Sequence, residues 1–218
     1  MCSSDLASGP RITEALVAGL ADEGVGAVRL GVLPTPAIAH AAASRSLPAL
    51  VVSASHNPWT DNGIKVIGPD GRKLPDATEA AIEAELGRET GDESGDEHRG
   101  TDAAVGSDGI AAVESMGDGA DDAAAEYLAH LAAALDGRRL DGLHVLLDCA
   151  NGAASALAPE ALRAAGARVT VIAAEPDGTN INAGCGATHP DHLAAQVRAV
   201  GADLGFALDG DADRVIAV

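Results

Sequence analysis

Apolar residues recur along this chain with two different periods, which predicts alternating helices and strands. Ile12, Leu16 and Leu20 fall on one face of a helix whose start is marked by Ser8 and Pro10. Shorter apolar runs, bounded by Gly, Pro and Asn, indicate strands instead. The predicted strands are 49–53, 143–147, 168–173 and 203–208, and residues 27–33 form an apolar stretch. The predicted helices are the one after Ser8, one opened by Thr35, and 75–86, 120–135, 153–165 and 190–200.

This alternation is typical of an α/β fold, in which ligand sites lie beyond the carboxyl ends of the strands. We predict two consecutive three-layer α/β/α domains with mixed, mostly parallel sheets, residues 1–136 and 137–218. Both domains are expected to be truncated, because no first strand precedes the Ser8 helix and the second domain is cut short. Residues 87–119 are rich in Gly, Asp, Glu and Ser, which predicts a mobile surface excursion.

The composition of the chain argues against membrane-spanning and nucleic-acid-binding functions. A chain of 218 residues with 47% hydrophobic residues can bury a sizeable core, and no apolar run is long enough to cross a bilayer. The formal charge of -19, from 14 basic and 33 acidic residues, repels nucleic-acid phosphates and anionic lipid. We therefore expect no nucleic acid and no membrane as partner. The 3 cysteines and the lack of a recognisable secretory signal favour a cytoplasmic location.

The loop after the predicted strand 49–53 combines a nucleophile, a histidine and a cation. Taken singly, Ser55 and His56 are ordinary turn or capping residues. The turns imposed by Asn57-Pro58 and Asn62-Gly63, however, bring Lys65 back beside the serine, as a cation that can also move a proton. A purely structural loop has little need for this combination.

A run of aspartates at alternate positions, Asp209, Asp211 and Asp213, follows the predicted strand 203–208. Side chains alternate along extended backbone, so these carboxylates share one side and can converge on a hard divalent cation. A solvated acidic turn is the competing interpretation in so acidic a protein. An EF-hand loop fits worse, because Arg214 stands where that loop requires Gly and the chain ends before its bidentate Glu.

The chain resembles the α-D-phosphohexomutase superfamily over nearly its whole length after residue 7. The likeness rests on Ser53-Ala-Ser-His-Asn-Pro with Asp61-Asn-Gly-Ile-Lys, on Asp209-Gly-Asp-Ala-Asp-Arg, and on three supporting segments. These are Leu33-Pro-Thr-Pro-Ala, Asp148-Cys-Ala-Asn-Gly-Ala-Ala and Glu175-Pro-Asp-Gly-Thr-Asn-Ile-Asn-Ala-Gly-Cys-Gly-Ala-Thr. The last segment is similar to that of the bacterial phosphoglucosamine mutase branch rather than to that of phosphomannomutases.

The resemblance implies a role for each matching residue. Ser55 is implied to be the serine that becomes phosphorylated, and Lys65 matches the proposed general acid/base. His56 is implied to act with them in the phosphoserine loop, where Asn57 is implied to bind substrate. Arg214 matches an arginine that supports the substrate site. The implied ligands of one Mg²⁺ per active site are Ser55, Asp209, Asp211 and Asp213.

The implied reaction moves phosphate from Ser55 to glucosamine 6-phosphate and, through a bisphosphorylated sugar, gives glucosamine 1-phosphate. A phosphorylated amino sugar is therefore the expected partner. The chain departs from the family at Leu6, which replaces an arginine, and at His189, which replaces an aspartate. It also ends just past the acidic loop, whereas the family continues through substrate-binding domains, so we expect a fragment that is inactive alone.

Three alternatives stay open. A sister phosphomannomutase or phosphoglucomutase shares both loops. A haloacid-dehalogenase-like phosphatase also places Asp-x-Asp after a strand, but Asp213 occupies its usual Thr or Val position and residues 53–65 are left unexplained. A noncatalytic Mg²⁺-binding module would bind the cation without carrying a covalent phosphate.

Overall fold

The computed structural model describes residues 2–3, 6–90 and 119–218, and it confirms the α/β class. The helices are α1 Gly9–Asp22, α2 Thr35–Arg45, α3 Asp76–Thr90, α4 Ala120–Ala134, α5 Leu157–Ala164 and α6 Pro190–Val200. The strands are β1 Cys2–Ser3, β2 Ala49–Ser53, β3 Gly63–Ile67, β4 His144–Asp148, β5 Arg168–Ile172, β6 Leu204–Leu208 and β7 Val215–Ala217. A short 3-10 helix covers Gly186–Thr188.

The first sheet has the strand order β1-β2-β3, with β1 parallel and β3 antiparallel to the central β2. In this register Val51 pairs with Lys65 and Ser53 pairs with Gly63. Directly opposed residues and residues two apart along a strand share a face. The side chains of Ser53 and Lys65 therefore lie on the same face of the sheet.

The second sheet has the order β5-β4-β6-β7, in which the first three strands are parallel and β7 is antiparallel to β6. Every residue of β4 is buried, as expected for a strand covered on both faces. Strands β4, β5 and β6 confirm the predicted strands to within a residue at each end. Their carboxyl ends lie on one edge, where Asp148 ends β4 and Asp209 directly follows β6.

Two strands have no counterpart among the sequence predictions because their side chains are largely exposed. β3 is fully buried only at Ile67, and all three residues of β7 are exposed. Both are antiparallel partners of a better buried strand, so main-chain hydrogen bonds hold them without an apolar alternation.

The N-terminal third differs from the predictions ahead of the first helix. Cys2–Ser3 pair with the edge of β2, although we expected no strand ahead of the first helix. An open strand edge accepts main-chain partners whatever their side chains, so no sequence pattern indicates such a pairing. The apolar stretch 27–33 is irregular apart from a bridge at Gly31, and Leu30 and Leu33 are buried by side-chain packing.

Two helices have different bounds from those predicted. α5 begins at Leu157 rather than at 153, because residues 150–156 form turns that start with Ala150 and Asn151 in the left-handed region. α3 extends to Thr90, so the predicted surface excursion over 87–119 starts within a helix. Residues 91–118 of that excursion lie outside the described residues.

Three apolar clusters hold the fold together. The largest packs α2 against β2 through Ile38 and Val51, and Ala123 of α4 joins it. A second cluster packs Leu193 of α6 against the β4–β6 pair. A small third cluster of Leu6, Ala54 and Ile181 joins the two halves of the chain beside the end of β2. No helix in the described ranges has both the length and the apolar character needed to span a bilayer.

Candidate active site

The serine loop, residues 54–62, turns sharply where β2 ends. Ser55 has a φ of 52°, in the left-handed region that few residues other than glycine adopt. Its backbone N–H donates to Ser53 Oγ at 2.8 Å, and the N–H of Asn57 donates to the carbonyl of Ala54 at 2.9 Å. These short-range bonds hold the backbone where it leaves the sheet, with His56 and Asn57 exposed and Ser55 half-buried.

The acidic loop, residues 209–214, connects β6 to β7 and carries most of the site's negative charge. Asp209 and Asp211 are each only 1% exposed, whereas the side chain of Asp213 is 35% exposed. Asp209 Oδ1 accepts the N–H of Arg214 at 3.1 Å, which tightens the turn. One carboxylate oxygen from each aspartate lies within 4.8 Å of the others, so this group could hold a metal ion.

One oxygen of Asp211 is held by three donors from the first half of the chain. Asp211 Oδ2 accepts hydrogen bonds from Lys65 Nζ at 2.6 Å, Thr35 Oγ1 at 2.7 Å and Ser53 Oγ at 2.9 Å. The backbone N–H of Thr35 also donates to the carbonyl of Asp211, at 2.9 Å. The other oxygen, Asp211 Oδ1, is buried and has no hydrogen-bond partner among the described residues.

The serine hydroxyl connects the two loops. Ser55 Oγ lies 3.4 Å from Asp209 Oδ2 and 3.4 Å from His56 Nδ1. Arg214 Nη2 lies 2.8 Å from the same nitrogen of His56. A guanidinium group has only donors, so His56 Nδ1 is the acceptor and a neutral His56 carries its proton on Nε2. The Ser55 O–H therefore donates to Asp209 Oδ2, because the single lone pair of His56 Nδ1 already accepts from Arg214.

Burial and neighbouring charge shift the acid–base behaviour of this cluster. Burial raises the pKa of Asp209, and the negative charge of Asp211 raises it further. Burial acts to lower the pKa of Lys65, but its hydrogen bonds to Asp211 and Asp213 outweigh burial and raise it. Burial likewise opposes ionisation of Asp213, yet the bond from Lys65 Nζ at 2.9 Å lowers the pKa of that carboxyl. Lys65 as placed therefore holds its proton firmly.

The donor set of the acidic loop fits a hard divalent cation. Such ions take oxygen ligands, and three carboxylates converge here with one buried oxygen left unpaired. Lys65 and Arg214 are the cations in contact with the aspartates in the described part of the chain. Two side-chain cations against three carboxylates leave net negative charge, which a metal ion would offset.

Two glycines allow the loops to approach closely. A Cβ on Gly152 would lie 2.1 Å from the carbonyl oxygen of Gly210, and a Cβ on Gly210 would lie 2.7 Å from that of Ser55. The Gly152 turn is fixed by Asp148, which is fully buried and accepts the N–H groups of Ala150 at 2.9 Å and Gly186 at 2.8 Å. The end of β4 thus sets the position of the acidic loop.

The structure brings together most of the residues that the sequence singled out. The members of the cluster are Ser55, His56, Lys65, Asp209, Asp211, Asp213 and Arg214. Asn57 joins through its backbone, because its carbonyl accepts from Asn182 Nδ2 at 2.9 Å while the residue itself is exposed.

Sequence reasoning missed the residues that position this cluster. Thr35 and Ser53 orient Asp211, Asn182 contacts the serine loop, and Asp148 fixes the Gly152 turn. Thr35, Asp148 and Asn182 lie in the three segments that supported the family resemblance. The sequence therefore marked these segments but did not indicate what the three residues do.

The described cysteines take no part in the site chemistry. Cys149 and Cys185 are free and buried. Burial, with the charge of Asp148 added, raises the pKa of Cys149 to about 12 and that of Cys185 to about 11. Both thiols therefore remain protonated at neutral pH and are poor nucleophiles.

Comparison with known proteins identifies the family. Residues 7–93 match the family model of phosphoglucomutase/phosphomannomutase α/β/α domain I, and residues 125–218 match that of α/β/α domain II. The chain belongs to the phosphoglucomutase/phosphomannomutase family. This confirms the predicted superfamily and its two consecutive α/β/α domains; the boundary after residue 136 stays a prediction, because the second match begins within α4.

Curated phosphoglucosamine mutases are similar to this family member. That of Mycobacterium tuberculosis H37Rv is 51% identical over 213 residues, covering 97% of this chain and 45% of the relative. That of Mycolicibacterium vanbaalenii PYR-1 is 49% identical over 213 residues, covering 97% and 44%. The chain thus spans less than half the length of these relatives.

A solved structure supports the fold over the full chain. The phosphoglucomutase/phosphomannomutase family protein of Burkholderia thailandensis superimposes with a TM-score of 0.73 at 26% identity. The match covers 100% of this chain and 45% of that one.

Proposed function

We propose that this chain carries the phosphoserine and metal-binding half of a phosphoglucosamine mutase, which interconverts glucosamine 6-phosphate and glucosamine 1-phosphate. The observation that carries the proposal is the position of Ser55 Oγ, 3.4 Å from Asp209 Oδ2 although 154 residues separate them. A nucleophilic oxygen against an acidic cation site is the arrangement that phosphoryl transfer requires. The identity to phosphoglucosamine mutases, about half of the aligned residues, supports the amino-sugar substrate.

Ser55 is proposed to carry the transferred phosphoryl group. A phosphoserine brings close to two negative charges, and the loose transition state spreads charge over the phosphoryl oxygens. Asp209, Asp211 and Asp213, with an oxygen at Ser55, would hold Mg²⁺, which would supply the positive charge that offsets both. The unpaired Asp211 Oδ1 supports this assignment, because a buried carboxylate oxygen without a partner is costly.

The proposed transfer needs only the phosphorylated serine and the sugar phosphate. In the first step, the oxygen of a free hydroxyl on the sugar phosphate bonds to the phosphorus on Ser55, and the bond from that phosphorus to Ser55 Oγ breaks. The bisphosphorylated sugar then returns its other phosphate to Ser55. The hydroxyl proton leaves in the first step and a proton returns in the second. Lys65 is proposed as the proton carrier; in the present geometry it holds its proton, so it acts as a base only after its bonds to Asp211 and Asp213 loosen.

One further cation and two polar residues surround the proposed nucleophile. Arg214 donates to His56 and lies 3.7 Å from both Asp209 and Asp213, so it is proposed to draw a phosphate toward Ser55. His56 is proposed to line the phosphoserine loop beside Ser55 Oγ and to hold the Arg214 guanidinium there. Asn57, exposed at the mouth of the loop, is proposed to contact substrate.

Turnover is proposed for a protein of the relatives' full length. This chain covers 44% to 45% of those relatives, and we propose that alone it converts little glucosamine 6-phosphate. Appreciable turnover by these 218 residues would contradict that part of the proposal.

The experiment is phosphoryl transfer onto the chain itself. The protein is incubated with Mg²⁺ and glucosamine 1,6-bisphosphate, and intact mass and peptide mapping locate any phosphate. We expect one phosphoryl group on Ser55, which Ser55→Ala abolishes and the exposed-serine control Ser44→Ala retains. Mn²⁺ affinity is measured in parallel, and Asp211→Asn is expected to lower it at least about tenfold, a loss of roughly 1.4 kcal/mol.

Two outcomes would redirect the assignment. Mn²⁺ binding without phosphate on Ser55 would favour a noncatalytic cation-binding module. Faster phosphorylation by glucose or mannose 1,6-bisphosphate would favour the sister activity, to which the names of the matching family models also point.

A further inference from the structure

The backbone of Ser55 is held in a conformation that it would not adopt alone. A φ of 52° is unfavourable for a residue with a Cβ, so surrounding contacts must maintain it. The intraloop bond to Ser53 Oγ fixes the N–H side of the residue. The carbonyl side is fixed from outside the loop, where Gly210 N–H donates to Ser55 O at 3.1 Å.

Asn182 supplies the other external contacts. Its Nδ2 donates to Ser55 O at 2.8 Å and to Asn57 O at 2.9 Å, so both amide hydrogens are used on the serine loop. Two carbonyl acceptors fix the assignment of the amide, since only the nitrogen end can donate. Asn182 is only 8% exposed, which keeps water from competing for these carbonyls.

The position of Asn182 is itself built into the second half of the chain. Its φ is 58°, a left-handed conformation that asparagine tolerates better than most residues. Its backbone N–H donates to Ala150 O at 2.9 Å, which ties it to the turn after β4. The preceding Ile181 packs against Leu6 and Ala54, directly before the serine.

We propose that Asn182 is a positioning residue that holds the Ser55 carbonyl and so aims Ser55 Oγ at Asp209. It touches neither the acidic cluster nor the serine hydroxyl, and it acts through the backbone of the serine loop alone. The proposal rests on the proposed function only in naming the consequence: phosphoryl transfer to Ser55 slows while the cation site stays intact.

The test compares two asparagines of one loop. Asn182→Asp keeps the shape and the tolerance of a positive φ but replaces both donors with an acceptor that faces two carbonyls. Asn180→Asp is the matched control, with the same charge change: its Nδ2 bonds to Glu175 O, and its Oδ1 accepts from Asp177 N–H. Asn182→Gly removes the amide without adding charge, in case the aspartate prevents folding.

Two readouts are taken on each variant. Amide hydrogen exchange is measured at Ser55, Asn57 and Gly210, whose N–H groups bond within or onto the serine loop. The rate of Ser55 phosphorylation by glucosamine 1,6-bisphosphate is measured beside Mn²⁺ affinity. We expect Asn182→Asp and Asn182→Gly to exchange these amides faster and to be phosphorylated roughly 10- to 100-fold more slowly, with Mn²⁺ affinity and Asn180→Asp unchanged.

The outcomes separate this inference from the proposed function. Unchanged amide exchange in both Asn182 variants, or faster exchange with an unchanged phosphorylation rate, would overturn the positioning role. A wild-type chain that takes up no phosphate would count against the proposed function. In that case the exchange data alone would decide whether Asn182 holds the loop.

Discussion

The two loops that meet at the site differ in how they are held. In the acidic loop, Asp209 and Asp211 are each 1% exposed and are fixed by side-chain and backbone donors. In the serine loop, His56 and Asn57 are exposed, and the backbone is fixed by Asn182 instead. Buried charge needs rigid partners, whereas a serine that is proposed to take up phosphate must be reached by its substrate. The site therefore combines a buried acidic loop with a more exposed serine loop.

The largest effect should come from disturbing the acidic loop where Gly210 lies closest to Gly152. Gly152→Ala places a Cβ 2.1 Å from the Gly210 carbonyl, which forces the acidic loop away from Ser55. We expect the free energy of unfolding to fall by about 3 kcal/mol or more, and Mn²⁺ affinity to fall with it. Urea unfolding and a Mn²⁺ titration measure both.

The control for this variant is Gly19→Ala in α1. A Cβ there meets nothing within 4 Å, so alanine should raise the free energy of unfolding by about 0.5–1 kcal/mol. Wild-type stability and Mn²⁺ affinity in Gly152→Ala would show that the acidic loop is not held rigidly.

A smaller effect is expected where the first half of the chain contacts the acidic loop, at Thr35 and Asp211. Thr35→Val removes a hydrogen bond of 2.7 Å to the buried Asp211 carboxylate, and such bonds contribute about 1.5–3 kcal/mol. Thr13→Val is the matched control, because Thr13 is buried and its Oγ1 has no partner among the described residues.

Urea unfolding without added metal compares these two variants. We expect Thr35→Val to be destabilised and Thr13→Val to be unchanged or more stable. Equal loss of stability in the two would mean that the Asp211 contact contributes nothing beyond packing.

The smallest effect is a pH dependence of folding stability that comes from Asp209 in the acidic loop. Burial and the charge of Asp211 raise the pKa of Asp209 above its ordinary value of 3.8, so the folded protein binds the proton more tightly than the unfolded chain. This carboxyl therefore costs stability as pH rises through the raised pKa, and the cost disappears as pH falls toward the ordinary value.

Asp209→Asn removes that titration. In metal-free buffer, its stability relative to wild type should rise as pH increases from the ordinary pKa of 3.8 through the raised pKa. Thermal unfolding across that range measures the trend. A stability difference that falls with rising pH would contradict the assigned direction.

The sequence predicted the second half of the fold better than the first for a physical reason. β4 is buried throughout, so its apolar run marks it clearly, whereas the exposed β3 and β7 depend on main-chain pairing. Ser55, Lys65 and the aspartates were predictable because their chemistry is unusual in such short loops. Thr35 and Asn182 were not, because a threonine or an asparagine gains its role only from the partner that folding brings to it.

The convergence of Lys65, Thr35 and Ser53 on a single oxygen of Asp211 has a mechanical consequence. If the two halves of the chain moved apart here, the buried Asp211 carboxylate would lose all three hydrogen bonds at once. Each of these bonds contributes about 1.5–3 kcal/mol. The closed arrangement is thus strongly favoured at rest. Substitutions that loosen this contact are therefore expected to displace the acidic loop from Ser55 even when Ser55 and all three aspartates are intact.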